Sequence, residues 1–137
     1  MAALSQARNT PERLGRVLEW PVKAATTIHQ GSLVVADAGY AAPGRTATGL
    51  VALGRAEESA TAVAAGSVKV RVQPGVYKFG NSATTDLIAQ ADAGSDCYIV
   101  DDQTVAKTSG TNTRSRAGIV LAVDADGGVW VQVGPGL

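Results

Sequence analysis

Residues 117–133 hold two runs of alternating apolar side chains on either side of a polar turn. Ile119, Leu121 and Val123 precede Asp124-Ala125-Asp126-Gly127-Gly128, and Val129, Val131 and Val133 follow it. Side chains of an extended segment point alternately to its two faces, so each trio falls on one face of a strand. The Asp and Gly residues between them accept the positive φ angles that a tight hairpin demands. A β-hairpin is expected here. Just upstream, Tyr98-Ile99-Val100 and Thr104-Val105-Ala106 flank Asp101-Asp102-Gln103, which reads as a second turn whose type stays open because it lacks Gly. The segment from Cys97 to Val133 thereby commits the chain to sheet.

The same grammar runs back to Val22. Thr26-Thr27-Ile28 and Ser32-Leu33-Val34-Val35-Ala36 flank His29-Gln30-Gly31, and Asp37-Ala38-Gly39-Tyr40 makes a turn. Residues 49–56 form a short apolar run bounded by Gly, as a buried strand does. Val68-Lys69-Val70-Arg71-Val72-Gln73 alternates without a fault and stops at Pro74-Gly75, after which residues 76–80 resume as another strand. Residues 57–67 stay open between helix, from their Ala content, and loop. Residues 81–94 suit a single helical turn with a Thr or Asp cap and Gly94 as its stop. About eight short strands spaced by roughly ten residues, with Gly at most joints, predict an all-β antiparallel barrel or sandwich.

Residues 1–20 differ, being polar, Arg-rich and without alternation, and they read as an N-terminal arm ahead of a β-rich domain of residues 21–137. Thr10 as N-cap with Pro11 at the first helical position would start one helical turn. An extended strap fits the arm equally well.

Composition narrows the chemistry. At 137 residues the chain is one domain's length, enough to bury about two-thirds of its unfolded surface. Lys plus Arg and Asp plus Glu are 12 each, so no net field draws the chain to nucleic acid or an anionic membrane. No apolar window is long enough to span a bilayer and the first residues lack a signal peptide's apolar core, which predicts a soluble cytosolic protein. Aromatics are only 4% of residues, so the core must be built from small aliphatic side chains, and a thin core favours support from other chains.

Candidate catalytic groups are few. His29 is the single histidine and Cys97 the single cysteine; together they are too few for zinc, and Cys97 reads as a small buried strand residue. Asp124-Ala125-Asp126-Gly127 begins like a calcium loop, but the twelfth position is Pro135 rather than glutamate, and a solvated turn accounts for it. A phosphate-binding Gly-Lys-Ser/Thr loop and a Gly-x-Ser-x-Gly elbow are both absent. Lys69, Arg71, Arg114 and Arg116 suggest a basic spot without stacking aromatics beside it. No catalytic, cofactor-binding or metal-binding residue is expected, and the chain does not read as an enzyme.

Several stretches carry a family resemblance: residues 8–13 (Arg-Asn-Thr-Pro-Glu-Arg), 21–24 (Pro-Val-Lys-Ala), 28–34 (Ile-His-Gln-Gly-Ser-Leu-Val), 39–43 (Gly-Tyr-Ala-Ala-Pro), 98–106 and the 117–120 start of the hairpin. Together they resemble the capsid cement, or decoration, proteins that stabilise the heads of tailed bacteriophages. The resemblance implies a β-tulip-like domain bound to the exterior of the major capsid protein shell in the virion, made in the bacterial cytoplasm. It implies a homotrimer on the shell, with a dimer as another possibility, and an arm that reaches a neighbouring subunit; it implies no cofactor, nucleic acid or membrane. On that reading Arg8, Asn9, Thr10, Pro11 and Arg13 are partner-binding residues, the arginines donating to carboxylates. Trp20 is either a pocket-filling anchor or a core-edge tryptophan. The competing class is a β-barrel module for carbohydrate or a host surface; a third, a small hydrolase, would have to depend on His29.

Overall fold

A computed structural model describes residues 2–11, 13 and 16–137. The chain is mainly β, as its patterning predicts. Twelve strands occur among the described residues: β1 (Leu18–Pro21), β2 (Thr26–Ile28), β3 (Leu33–Asp37), β4 (Tyr40–Pro43), β5 (Val51–Ala56), β6 (Ala60–Ala62), β7 (Lys69–Gln73), β8 (Gly75–Phe79), β9 (Asp96–Ile99), β10 (Val105–Ala106), β11 (Arg116–Val123) and β12 (Val129–Val133). They form a five-stranded sheet in the order β1-β7-β5-β3-β4, a second in the order β10-β9-β11-β12-β8, and a β2-β6 ribbon. Every strand pairing is antiparallel.

Neither sheet closes into a barrel, yet each is drawn toward closure at one point. Val22, just past β1, makes a parallel bridge to Ala41 of β4, and the Lys23 N–H donates to the Ala41 carbonyl at 2.9 Å. In the second sheet Gly80, just past β8, bridges Thr104 before β10, with Val105 N–H donating to Gly80 O at 3.0 Å. The outer strands of each sheet therefore meet at one end. An unpaired edge is a template for unwanted pairing, and these bridges shorten the edge each sheet leaves exposed.

Two cores follow. The larger is lined by Phe79, Cys97, Ile99, Val105, Ala117, Val120, Val129, Val131 and Val133 of the second sheet and its borders. Leu33, Val35, Ala42, Leu50 and Ala52 complete it from the first. The smaller, with Val22, Ile28, Val34, Ala41, Leu53, Ala56, Ala62, Val70 and Val72, lies on the first sheet's other face under the β2-β6 ribbon. This explains why Leu33, Val34 and Val35 are all fully buried: alternate residues of β3 enter different cores, so a continuous apolar run is required.

The hairpin is present with Gly127 at φ 90° and Asp124 N–H donating to Gly128 O at 2.8 Å. Val129, Val131 and Val133 share a buried face as expected. The β11 face differs from expectation. A register shift between Val120 and Ala122 inserts Leu121 as an extra residue, so Val120 enters the core, Leu121 is 43% exposed and Val123 packs back against the core. Ile119, Leu121 and Val123 do not share a face, because a bulge breaks the two-residue period. The second turn also forms, with Val100 N–H donating to Thr104 O and Gln103 N–H to the Asp101 carboxylate.

Residues 57–67, open between helix and loop, contain the strand β6 instead: Ala62 buries beside Ile28 and pairing with β2 outweighs alanine's helical preference. Residues 81–94 form two single 3₁₀ turns, Thr84–Asp86 and Gln90–Asp92, with alanines rather than Thr or Asp in the capping positions. Asn81 organises this stretch. Its side chain donates to Ile88 O at 2.8 Å and accepts from Ser82 and Ile88 N–H, while buried Ile88 pins the turns to the larger core.

Candidate partner-binding surface

Ahead of β1, residues 2–11 and 13 are exposed and have no regular secondary structure. Arg8, Asn9, Thr10, Pro11 and Arg13 all lie there. The helical turn that Thr10 and Pro11 would start is not formed by them, and Glu12 and Leu14 lie outside the described residues. Leu4 is 72% exposed, an apolar side chain with nothing packed over it. The last residues assigned to the arm belong to the body: Leu18–Pro21 is strand β1, with Trp20 opposite Val70 of β7.

Trp20 sits apart from the five arm residues. It is half-buried against the smaller core, the place of a core-edge tryptophan, and it also lines an apolar groove. Leu18, Leu53, Val72, Pro74, Pro135 and Leu137 are the groove's other apolar walls, and its volume is about 410 Å³. Leu53 and Val72 supply its floor from the core, whereas Leu137 remains 41% exposed at the rim. Sequence reading missed this groove because its walls come from four separated segments, and local periodicity carries no trace of their meeting.

The expected basic spot is dispersed by pairing. Arg71 holds Glu58 at 3.1 Å, Arg116 holds Asp96 at 2.7 Å and Arg114 approaches Asp86 at 3.3 Å. Arg71's hydrogen bonds keep the Glu58 carboxyl below its ordinary range. Asp86 is likewise lowered, first by the Thr108 hydroxyl and then by Arg114. A cationic cleft that the sequence did not single out lies elsewhere, with Lys23 and Arg45 converging on Asp37 at 2.7 and 2.9 Å. Those two contacts depress the Asp37 carboxyl, Lys23 more than Arg45.

The candidate chemical groups take structural places. Cys97 is fully buried, donates weakly to Gly118 O at 3.7 Å, and burial pushes its thiol up to about 12. A thiol so held is neutral and a poor nucleophile. His29 is exposed in the β2–β3 turn. Asp124 and Asp126 flank Lys78 at 3.0 and 2.7 Å, and Trp130 Nε1 donates to Asp124 at 3.0 Å, so a lysine ammonium occupies the position a calcium ion would need. Among the described residues no three His, Cys, Asp or Glu side chains converge as metal ligands, and no helix is long and apolar enough to cross a membrane.

Compared with protein-family models, curated proteins and solved structures, the chain matches none.

Proposed function

We propose that this chain is a capsid cement protein of the tailed-bacteriophage kind. It binds the exterior of a shell built from a major capsid protein and strengthens that shell; three copies assemble on it and each arm grips a neighbouring subunit. The observation that carries this reading is the contrast within one chain. The described residues before Leu18 are exposed and without regular structure, while the β body that follows is knit by two cores and by bridges between sheet edges. A segment that cannot bury itself gains order only against a partner, as segments that fold on binding do. The resemblance in residues 8–13 supports the same reading, since it falls within that segment.

Arg8 and Arg13 would donate charge-assisted hydrogen bonds to shell carboxylates, and Trp20 with its groove would receive an apolar side chain of a neighbouring subunit. The test is co-sedimentation with expanded phage shells of the full chain and of a chain beginning at Leu18, which leaves β1 intact. The full chain is expected to pellet with the shells and the truncated chain to bind more weakly. Equal pelleting would remove the arm from the mechanism, and no pelleting of the full chain would remove the function.

A further inference from the structure

A cleft lies beside Lys23 and Arg45. It is open, about 380 Å³ in volume, and lined by Lys23, Thr26, Thr27, Pro43 and Arg45. Its two cations converge on a single carboxylate outside the cleft's lining: Lys23 Nζ and Arg45 Nη2 both donate to the same oxygen of Asp37, at 2.7 and 2.9 Å. Asp37 is the more covered partner, its side chain 21% exposed against 44% for Lys23 and 46% for Arg45. The two cations and one carboxylate leave the triad with a net positive charge, and each head keeps N–H donors beyond the one it gives Asp37.

The backbones that carry these heads are fixed independently of one another. Lys23 is anchored by its N–H to Ala41 O, beside the bridge that joins the first sheet's outer strands. Arg45 pairs with Asp101 in an isolated antiparallel bridge, and the next residue, Thr46, donates its hydroxyl to Val100 O at 2.8 Å. Gly44, immediately before, is buried against Leu33, Ile99 and Asp101. Both cations therefore stand on ordered backbone, which lowers the cost of holding them for a ligand. The other cationic heads in ion pairs among the described residues follow a different pattern: Arg55, Arg71, Lys107, Arg114 and Arg116 are each matched by a carboxylate, and Lys78 by two.

We infer that the Lys23–Arg45 cleft is a docking site for an acidic peptide segment of a protein partner, whose carboxylate adds to or replaces Asp37 between the two cations. The inference rests on the proposed function only in taking that partner to be a shell subunit. An arginine fork matches a carboxylate's two oxygens, while the lysine supplies a movable point charge. Asp37 is then a built-in competitor, and this fixes opposite signs for two substitutions. Asp37→Asn leaves two unshared cations and tightens binding; a Lys23→Gln/Asp37→Asn/Arg45→Gln chain has no charge in the cleft and loses it.

The experiment uses an acetylated oligoglutamate peptide as probe, titrated into the isotope-labelled full chain and followed by amide chemical shifts. Shifts are expected at Lys23, Ala25, Thr26, Thr27 and Arg45, weakening with added salt. The affinity order is expected to be Asp37→Asn, then the unaltered chain, then the triple variant, with about two- to fivefold per step. Thermal melts of the three chains check that the fold is retained. Shifts confined to other residues, an unchanged affinity across the three folded chains, or tighter binding of inorganic phosphate than of the peptide would each overturn the inference. The peptide titration needs no shell, so its outcome is independent of the proposed function; in parallel co-sedimentation, shells bound equally by all three chains would overturn the cleft while leaving the cement role standing.

Discussion

Gly118 has no room for a side chain. A Cβ there would lie against the Gln132 carbonyl of β12 and within 3.1 Å of a Val131 methyl carbon. Gly118→Ala must therefore part β11 from β12 or bend one of them, and overpacking of this kind costs about 1–3 kcal/mol; chemical denaturation is expected to show a loss in that range, and a melt unchanged from the unaltered chain would contradict the close approach. Cys97 offers a second test at this scale. With its thiol buried and pushed up to about 12, it is expected to resist a disulfide reagent at neutral pH in the folded state and to react at once in denaturant. Its burial was legible from a lone Cys beside apolar strand residues. The reason for Gly118 was not, because nothing local to residues 117–120 announces that a carbonyl from residue 132 will press on it.

The β11–β12 hairpin shows what alternation can and cannot reveal. Its turn and the buried face of β12 were legible in the residues themselves, since Gly127 and the three valines act locally. The bulge at Leu121 was not, because an inserted residue is visible only against the partner strand that skips it. This makes a paired prediction: Val131→Ala removes a fully buried side chain and is expected to cost about 2 kcal/mol, whereas Leu121→Ala is expected to stay within about 0.5 kcal/mol. Reversed sizes would mean that the strand's register is otherwise. The hairpin's ion pairs set a pH dependence. Lys78 is the first cause that lowers both Asp124 and Asp126 below their ordinary 3.8, and Asp126 is the first that raises Lys78 above 10.5. Depressed carboxylates contribute stability that is present above their unfolded pKa and lost as pH falls through the folded one. A raised lysine contributes stability that is lost as pH rises through its folded value. Trp130 fluorescence, which reports the Asp124 contact, is expected to hold constant through neutral pH and to change only below about 4 and above about 10.5. A transition near neutrality would show that another group controls the hairpin.

For the molecule as a whole, the sequence told more about the body than about how the body is assembled. An all-β antiparallel architecture follows from Gly-punctuated alternation, as in residues 68–73, and the contrast between residues 2–11 and the strands is visible in composition alone. The meeting of sheet edges at Val22–Ala41 and Gly80–Thr104 is long-range, as are the groove around Trp20 and the cleft between Lys23 and Arg45, and each depends on residues that no short window contains. These edge bridges predict that the chain beginning at Leu18 keeps its melting temperature within a few degrees, because the described residues of the segment removed make no part of either core; a collapse in stability on truncation would assign the arm a structural role in its own body. The cement role itself is tested most directly by electron microscopy of expanded phage shells incubated with the purified full chain. The account predicts added density on the outer surface, in groups of three, with a strand of density running from each body to a neighbouring shell subunit; bare shells in the presence of excess folded protein would contradict it.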